Sequence, residues 1–79
     1  MKEQLLKAWE NKSLNREEVG SKIVSIILGE YGPKNEIPQP YDDILTLALH
    51  MEDGIEAHES QEEYESYWRE LSDLLDSLV

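Results

Sequence analysis

Two histidines and eighteen carboxylates are the side chains of this 79-residue chain with the most obvious chemistry. His50 and His58 are the natural candidates for metal ligands, with Asp53 after the first and Glu56 before the second. Neither spacing reproduces the Glu-x-x-His pairing of di-iron bundles. Histidine and carboxylate can hold zinc without cysteine, but no spacing here is diagnostic of it. Calcium is equally unsupported, because the acidic run lacks the alternating Asp-x-Asp-x-Asp-Gly loop. Both histidines are therefore expected at the surface, and neither a metal nor a cofactor is expected.

Catalytic patterns are missing too. Cysteine is absent, which removes thiolate nucleophiles, thiolate metal cages and disulfides together. There is no Gly-x-Ser-x-Gly elbow and no glycine-rich phosphate loop. With carboxylates this dense, some pair always falls within acid–base reach, so no single pair is informative. A bundle of this size is also expected to lack a deep substrate pocket. The sequence points away from an enzyme.

What remains is electrostatics. The formal net charge is −11 and the sequence pI is about 4.4. Such a chain is repelled by phosphate backbones and anionic membranes, so its expected partner is a cationic protein. The charge is also unevenly divided. Residues 1–34 carry six basic and five acidic side chains, a net of +1, whereas residues 35–79 carry thirteen acidic ones against Arg69, a net of −12.

Within the second half, Glu52, Asp53, Glu56, Glu59, Glu62, Glu63 and Glu65 follow one another with no intervening cation. Glu62 and Glu63 suit a helix N-terminus, but Glu52, Asp53 and Glu56 approach a helix C-terminus, where the dipole disfavours them. A solvated corner that keeps a small protein soluble is one explanation. A partner-facing acidic surface is the other. On the second reading the contact set is Asp42, Leu49, Glu52, Asp53, Glu56, Glu59, Glu62, Glu63 and Tyr67. Leu49 would act as an apolar anchor inside a charged rim, and Tyr67 as an aromatic one.

The elements that must position these residues are helices. The first helix spans about Lys2 to Glu10, with Leu5, Leu6 and Trp9 on one face. Asn15 caps the second, Glu18 completes a capping box, and Val19, Ile23, Ile26 and Ile27 form its stripe. The β-branched run could argue for a strand, but no second strand exists to pair with it. Gly29 through Pro33 stops this helix, and a stiff loop follows from Lys34 to Pro40. Tyr31 and Tyr41 are expected to pin that loop to the bundle, and Ile37 to tuck onto the core.

A third helix opens after Pro40, with Tyr41, Ile44, Leu45, Ala48, Met51 and Ile55 on one face. Leu49 falls on the margin, and Gly54 lies within the helix or near its end. The fourth helix begins at Ser60, where a second capping box with Glu63 is expected. Tyr64, Trp68, Leu71, Leu75 and Leu78 then recur at helical spacing. The expected fold is a single all-α domain over residues 1–79, a compact three-to-four-helix bundle with a proline-rich loop between helices 2 and 3. No run of eighteen apolar residues exists for a membrane span, and Met1 to Leu6 lacks a signal-peptide core, so a cytoplasmic location is expected.

One family resemblance can be drawn. The stretch Leu6-Lys7-Ala8-Trp9-Glu10-Asn11-Lys12-Ser13-Leu14-Asn15-Arg16-Glu17-Glu18-Val19 resembles the opening of the colicin D-type immunity proteins: a helix, a short polar turn, then a capped second helix. Pro38 and Pro40 ahead of Asp42-Asp43-Ile44-Leu45 are similar to that family's inter-helix loop. The likeness is one of pattern over about half the chain, without a diagnostic motif. It implies an immunity or antitoxin protein that binds a cognate bacterial toxin, most often a nuclease and possibly one that cleaves tRNA. The acidic surface would then cover a cationic active site as a substrate mimic, and the binder would be a monomer or weak homodimer. Two other readings use the same residues. A phage-type nucleic-acid mimic would turn the acidic surface against a host defence enzyme. A regulatory module would instead self-associate through Leu71, Leu74, Leu75 and Leu78.

Overall fold

Capping chemistry sets the helix starts. The Asn15 side chain accepts a hydrogen bond from the Glu18 amide at 2.8 Å, and the Glu18 carboxylate accepts one from the Asn15 amide at 3.1 Å. This reciprocal box satisfies two amides that a helix start otherwise leaves unpaired. In the computed structural model, which describes residues 1–32 and 36–78, it opens the second of four helices. These are α1 (Lys2–Glu10), α2 (Arg16–Tyr31), α3 (Tyr41–Asp53) and α4 (Gln61–Asp76), with a 3-10 turn at Ile55–Ala57. The described residues contain no strand, so the β-branched run of α2 is helical, as its cap predicts.

Within the expected Gly29–Pro33 stop, α2 continues through Gly29 to Tyr31 and ends at Gly32 with φ +74°. An exposed glycine inside a helix costs only about 1 kcal/mol, and three preceding turns of buried stripe outweigh that. Ile55 does not join the α3 face. Gly54 adopts φ +80° and ends the helix one residue earlier, which swings Ile55 out to 42% exposure. Pro33, Lys34 and Asn35 of the expected loop lie outside the described residues. At its edges the Tyr31 and Tyr41 rings meet at 6.3 Å, and Ile37 packs onto the core, the latter as expected.

The helices pack in chain order: α1 on α2, α2 on α3, α3 on α4. Gly20 of α2 approaches the end of α3 closely enough that a Cβ there would sit 2.6 Å from the Ala48 carbonyl oxygen. The start of α2 thus meets the end of α3, and the two run antiparallel. Ile23, Ile27, Ile44 and Met51 are fully buried around this contact. Each such side chain contributes about 1.5–3 kcal/mol of burial. From α4, Leu71 and Leu75 are also fully buried, while Leu74 and Leu78 pack half-buried against the core. The stripe is thus fully engaged in the bundle at Leu71 and Leu75, whereas Leu74 and Leu78 keep part of their surface exposed.

The stack is closed laterally by side chains. Trp9 of α1 meets Trp68 of α4 at 4.4 Å, and the Arg16 guanidinium lies 4.7 Å from the Trp68 ring. Arg16 then donates to the Glu65 carboxylate at 2.6 Å, so α1, α2 and α4 join at one corner. The radius of gyration is 11.9 Å, against about 12 Å for a packed domain of this length.

Candidate functional site

The turn between α3 and α4 is built by Gly54, whose φ of +80° and extended ψ form a combination essentially restricted to glycine. A Cβ there would also stand 2.8 Å from the Glu17 carboxylate oxygen. The turn brings α4 back along α3 at once. Ser60 caps α4 by accepting from the Glu63 amide at 3.1 Å. The return bond of the expected box goes elsewhere: Glu63 accepts from the Glu59 amide at 3.1 Å, one residue ahead of the cap.

This geometry gathers Glu52, Asp53, Glu56, Glu59 and Glu62 at one end of the bundle, all exposed. Glu17 of α2 arrives beside Gly54 and adds a carboxylate from the nearly neutral half of the chain. Arg16 is drawn into this end, and its hydrogen bond holds the Glu65 carboxyl below the usual carboxylate range. Leu49 is 42% exposed one turn before Asp53, as expected. Asp42 is not part of this end. It lies ten residues before Glu52 on α3, about 15 Å along the axis, and its carboxylate accepts from the Asp43 amide at 2.7 Å.

Tyr67 and the histidines pack together. Tyr67 stacks on His50 with centroids 4.2 Å apart and planes 1° from parallel. Its hydroxyl donates to Glu63 at 3.2 Å. That bond to a carboxylate, with burial second, pushes the phenol above its ordinary pKa. Tyr67 is therefore a half-buried joint between α3 and α4. Glu63, with one oxygen on the Glu59 amide and the other on Tyr67, is likewise committed to the fold.

His58 is not a surface histidine, since its side chain is only 4% exposed. Its Nε2 lies 2.9 Å from the His50 carbonyl. A carbonyl can only accept, so Nε2 carries the proton. The bond satisfies one of the last four carbonyls of α3, which have no partner within the helix. Nδ1 faces the Glu63 carboxylate at 4.0 Å, and the ring leans on His50, Tyr64 and Tyr67 at 5.3–5.6 Å. Burial raises the pKa of Tyr64 beneath it. No group of three or more potential metal ligands converges among the described residues.

Two open grooves mark the surface. An open groove of about 490 Å³ runs between α3 and α4, bordered by Asp43, His50, Tyr67, Glu70 and Asp73. A second, of about 1060 Å³, lies between α1 and α2. Sequence reasoning missed the first groove because its border combines residues from two helices whose relative register no local signal encodes. The acidic ends of α3 and α4 were visible from residue types alone. No helix among the described residues is long and apolar enough to cross a membrane. Compared with known proteins, the chain matches no family model, no curated protein and no solved structure.

Proposed function

We propose that this chain is an immunity-type protein, a stoichiometric inhibitor that neutralises a cationic bacterial toxin, in the first place a nuclease, in the cytoplasm. The observation that carries this reading is the acidic end. Exposed carboxylates from the close of α3, the 3-10 turn and the start of α4 meet there, with Glu17 added from α2. Mutual repulsion at that density costs stability, and Arg16 offsets part of it through its ion pair with Glu65. A nuclease site must be cationic to hold phosphates, so a carboxylate surface complements it and accelerates encounter. The limited resemblance to colicin D-type immunity proteins points the same way.

The test is co-expression with the product of the adjacent gene. This chain should bind that product and relieve its toxicity. Asp53→Lys, Glu56→Lys and Glu59→Lys together should slow association by about tenfold or more at low salt, with the helical content retained. These three positions are preferred to Glu63, whose carboxylate bonds hold the turn. Association unchanged by the triple reversal would remove the acidic end from the interface.

A further inference from the structure

The acidic end can steer a partner by its charge, but the two grooves described above are lined by other residues. The α3–α4 groove extends from Asp43 to His50 on α3, about 10 Å or two helical turns. Leu47 and Leu74 give it an apolar floor. Asp43, Glu70 and Asp73 stand exposed along its rim, and among the described residues no salt bridge or side-chain hydrogen bond engages their carboxylates. Neither lysine nor arginine lines it. The stacked His50 and Tyr67 rings close the end nearest the turn. The α1–α2 groove is larger but carries Lys7 and Lys22 against Glu18 and Glu30, so it favours neither sign of ligand.

An apolar floor, an uncompensated anionic rim and a flat aromatic end specify one kind of side chain. Lysine meets the charge but is strongly hydrated and has no plane to stack. Arginine is always charged, presents a planar fork that carboxylates grip in pairs, and stacks on aromatic rings. We infer that the α3–α4 groove is the docking site for an arginine-bearing segment of the protein partner, with an aliphatic neighbour of that arginine on Leu47 and Leu74. This rests on the reading of the chain as a binder of a cationic protein. It moves the anchor from the acidic end, which sets the rate of encounter, to the groove, which sets residence.

The experiment is an amide chemical-shift titration of the full chain with a capped, alanine-based helical peptide carrying arginine and leucine one turn apart. Shifts are expected at Leu47, His50, Tyr67 and Leu74. Replacing the peptide's arginine by neutral citrulline, or introducing Glu70→Gln with Asp73→Asn, should each weaken binding by about tenfold or more. Both substituted residues are exposed, so the variant keeps the fold, which circular dichroism checks. Shifts confined to residues 52–63, or equal affinity for the citrulline peptide, would overturn the assignment. So would concentration-dependent shifts at the groove without peptide, since the occupant would then be a second copy. The two proposals fail separately. Peptide binding in a chain that relieves no toxicity overturns the immunity reading alone. Toxin neutralisation unimpaired by the Glu70 and Asp73 substitutions overturns the groove alone.

Discussion

The two faces of α3 are built on different principles. Toward α2 the contact is one of shape: Gly20 lets two backbones come together, and fully buried aliphatic side chains fill what remains. Toward α4 the contact is directional. His58 bonds a helix-end carbonyl, Tyr67 stacks on His50 and bonds Glu63, and beyond them the helices part into a groove. A seam filled by volume leaves no room for a ligand. A seam fixed by a few oriented groups at one end can hold two helices in register and still leave a cleft between them. The division gives α2–α3 a seam closed by shape and leaves an open cleft at α3–α4, where the proposed docking would take place.

The sharpest way to break this contrast is Gly20→Ala. Helix propensity alone predicts a gain of roughly 1 kcal/mol. The methyl would instead meet the Ala48 carbonyl at 2.6 Å and the Glu52 amide nitrogen at 2.8 Å. Overpacking against backbone, at about 3 kcal/mol, should win, with a net loss of about 2 kcal/mol in denaturant unfolding. A neutral result would mean that the two helices separate cheaply, and that shape does not govern this seam.

His58→Ala comes next, with an expected loss of about 2 kcal/mol, because the His50 carbonyl loses its partner in a site the ring keeps dry. His58→Leu returns the bulk without the donor and should recover less than half of that. Full recovery by leucine would make the α3–α4 seam another matter of volume.

The smallest effect has the opposite sign. A Cβ on Gly29 would meet nothing within 4 Å, so Gly29→Ala should stabilise by roughly 0.5–1 kcal/mol through propensity. Loss of stability there, by the same unfolding measurement, would show that the exposed side of α2 is not free.

Local signals in the sequence carried most of the fold. The Asn15–Glu18 box, the Pro40 start and the spacing of Leu71 and Leu75 each depend on residues within one or two turns, and each is found in place. Ile55 was misjudged because a helical wheel extends a helix past Gly54, while that glycine's positive φ ends it. The Gly29–Pro33 stop is in place, but composition cannot say which of its two glycines takes the positive φ, which is Gly32. The acidic end was legible as a run of residue types. Its Glu17 was not, because only the antiparallel packing of α2 on α3 brings it beside Gly54. Nor was the His50–Tyr67 stack, which depends on the register between α3 and α4.

The Trp9–Trp68 contact has an optical consequence. These are the only two tryptophans of the chain, their rings lie 4.4 Å apart, and a guanidinium covers the second. A nine-residue helix such as α1 does not hold its shape alone in water, so the pair exists only while α1 is docked. Intrinsic fluorescence therefore reads a long-range contact directly, and loss of the ring–ring coupling marks the moment at which the first helix leaves the last.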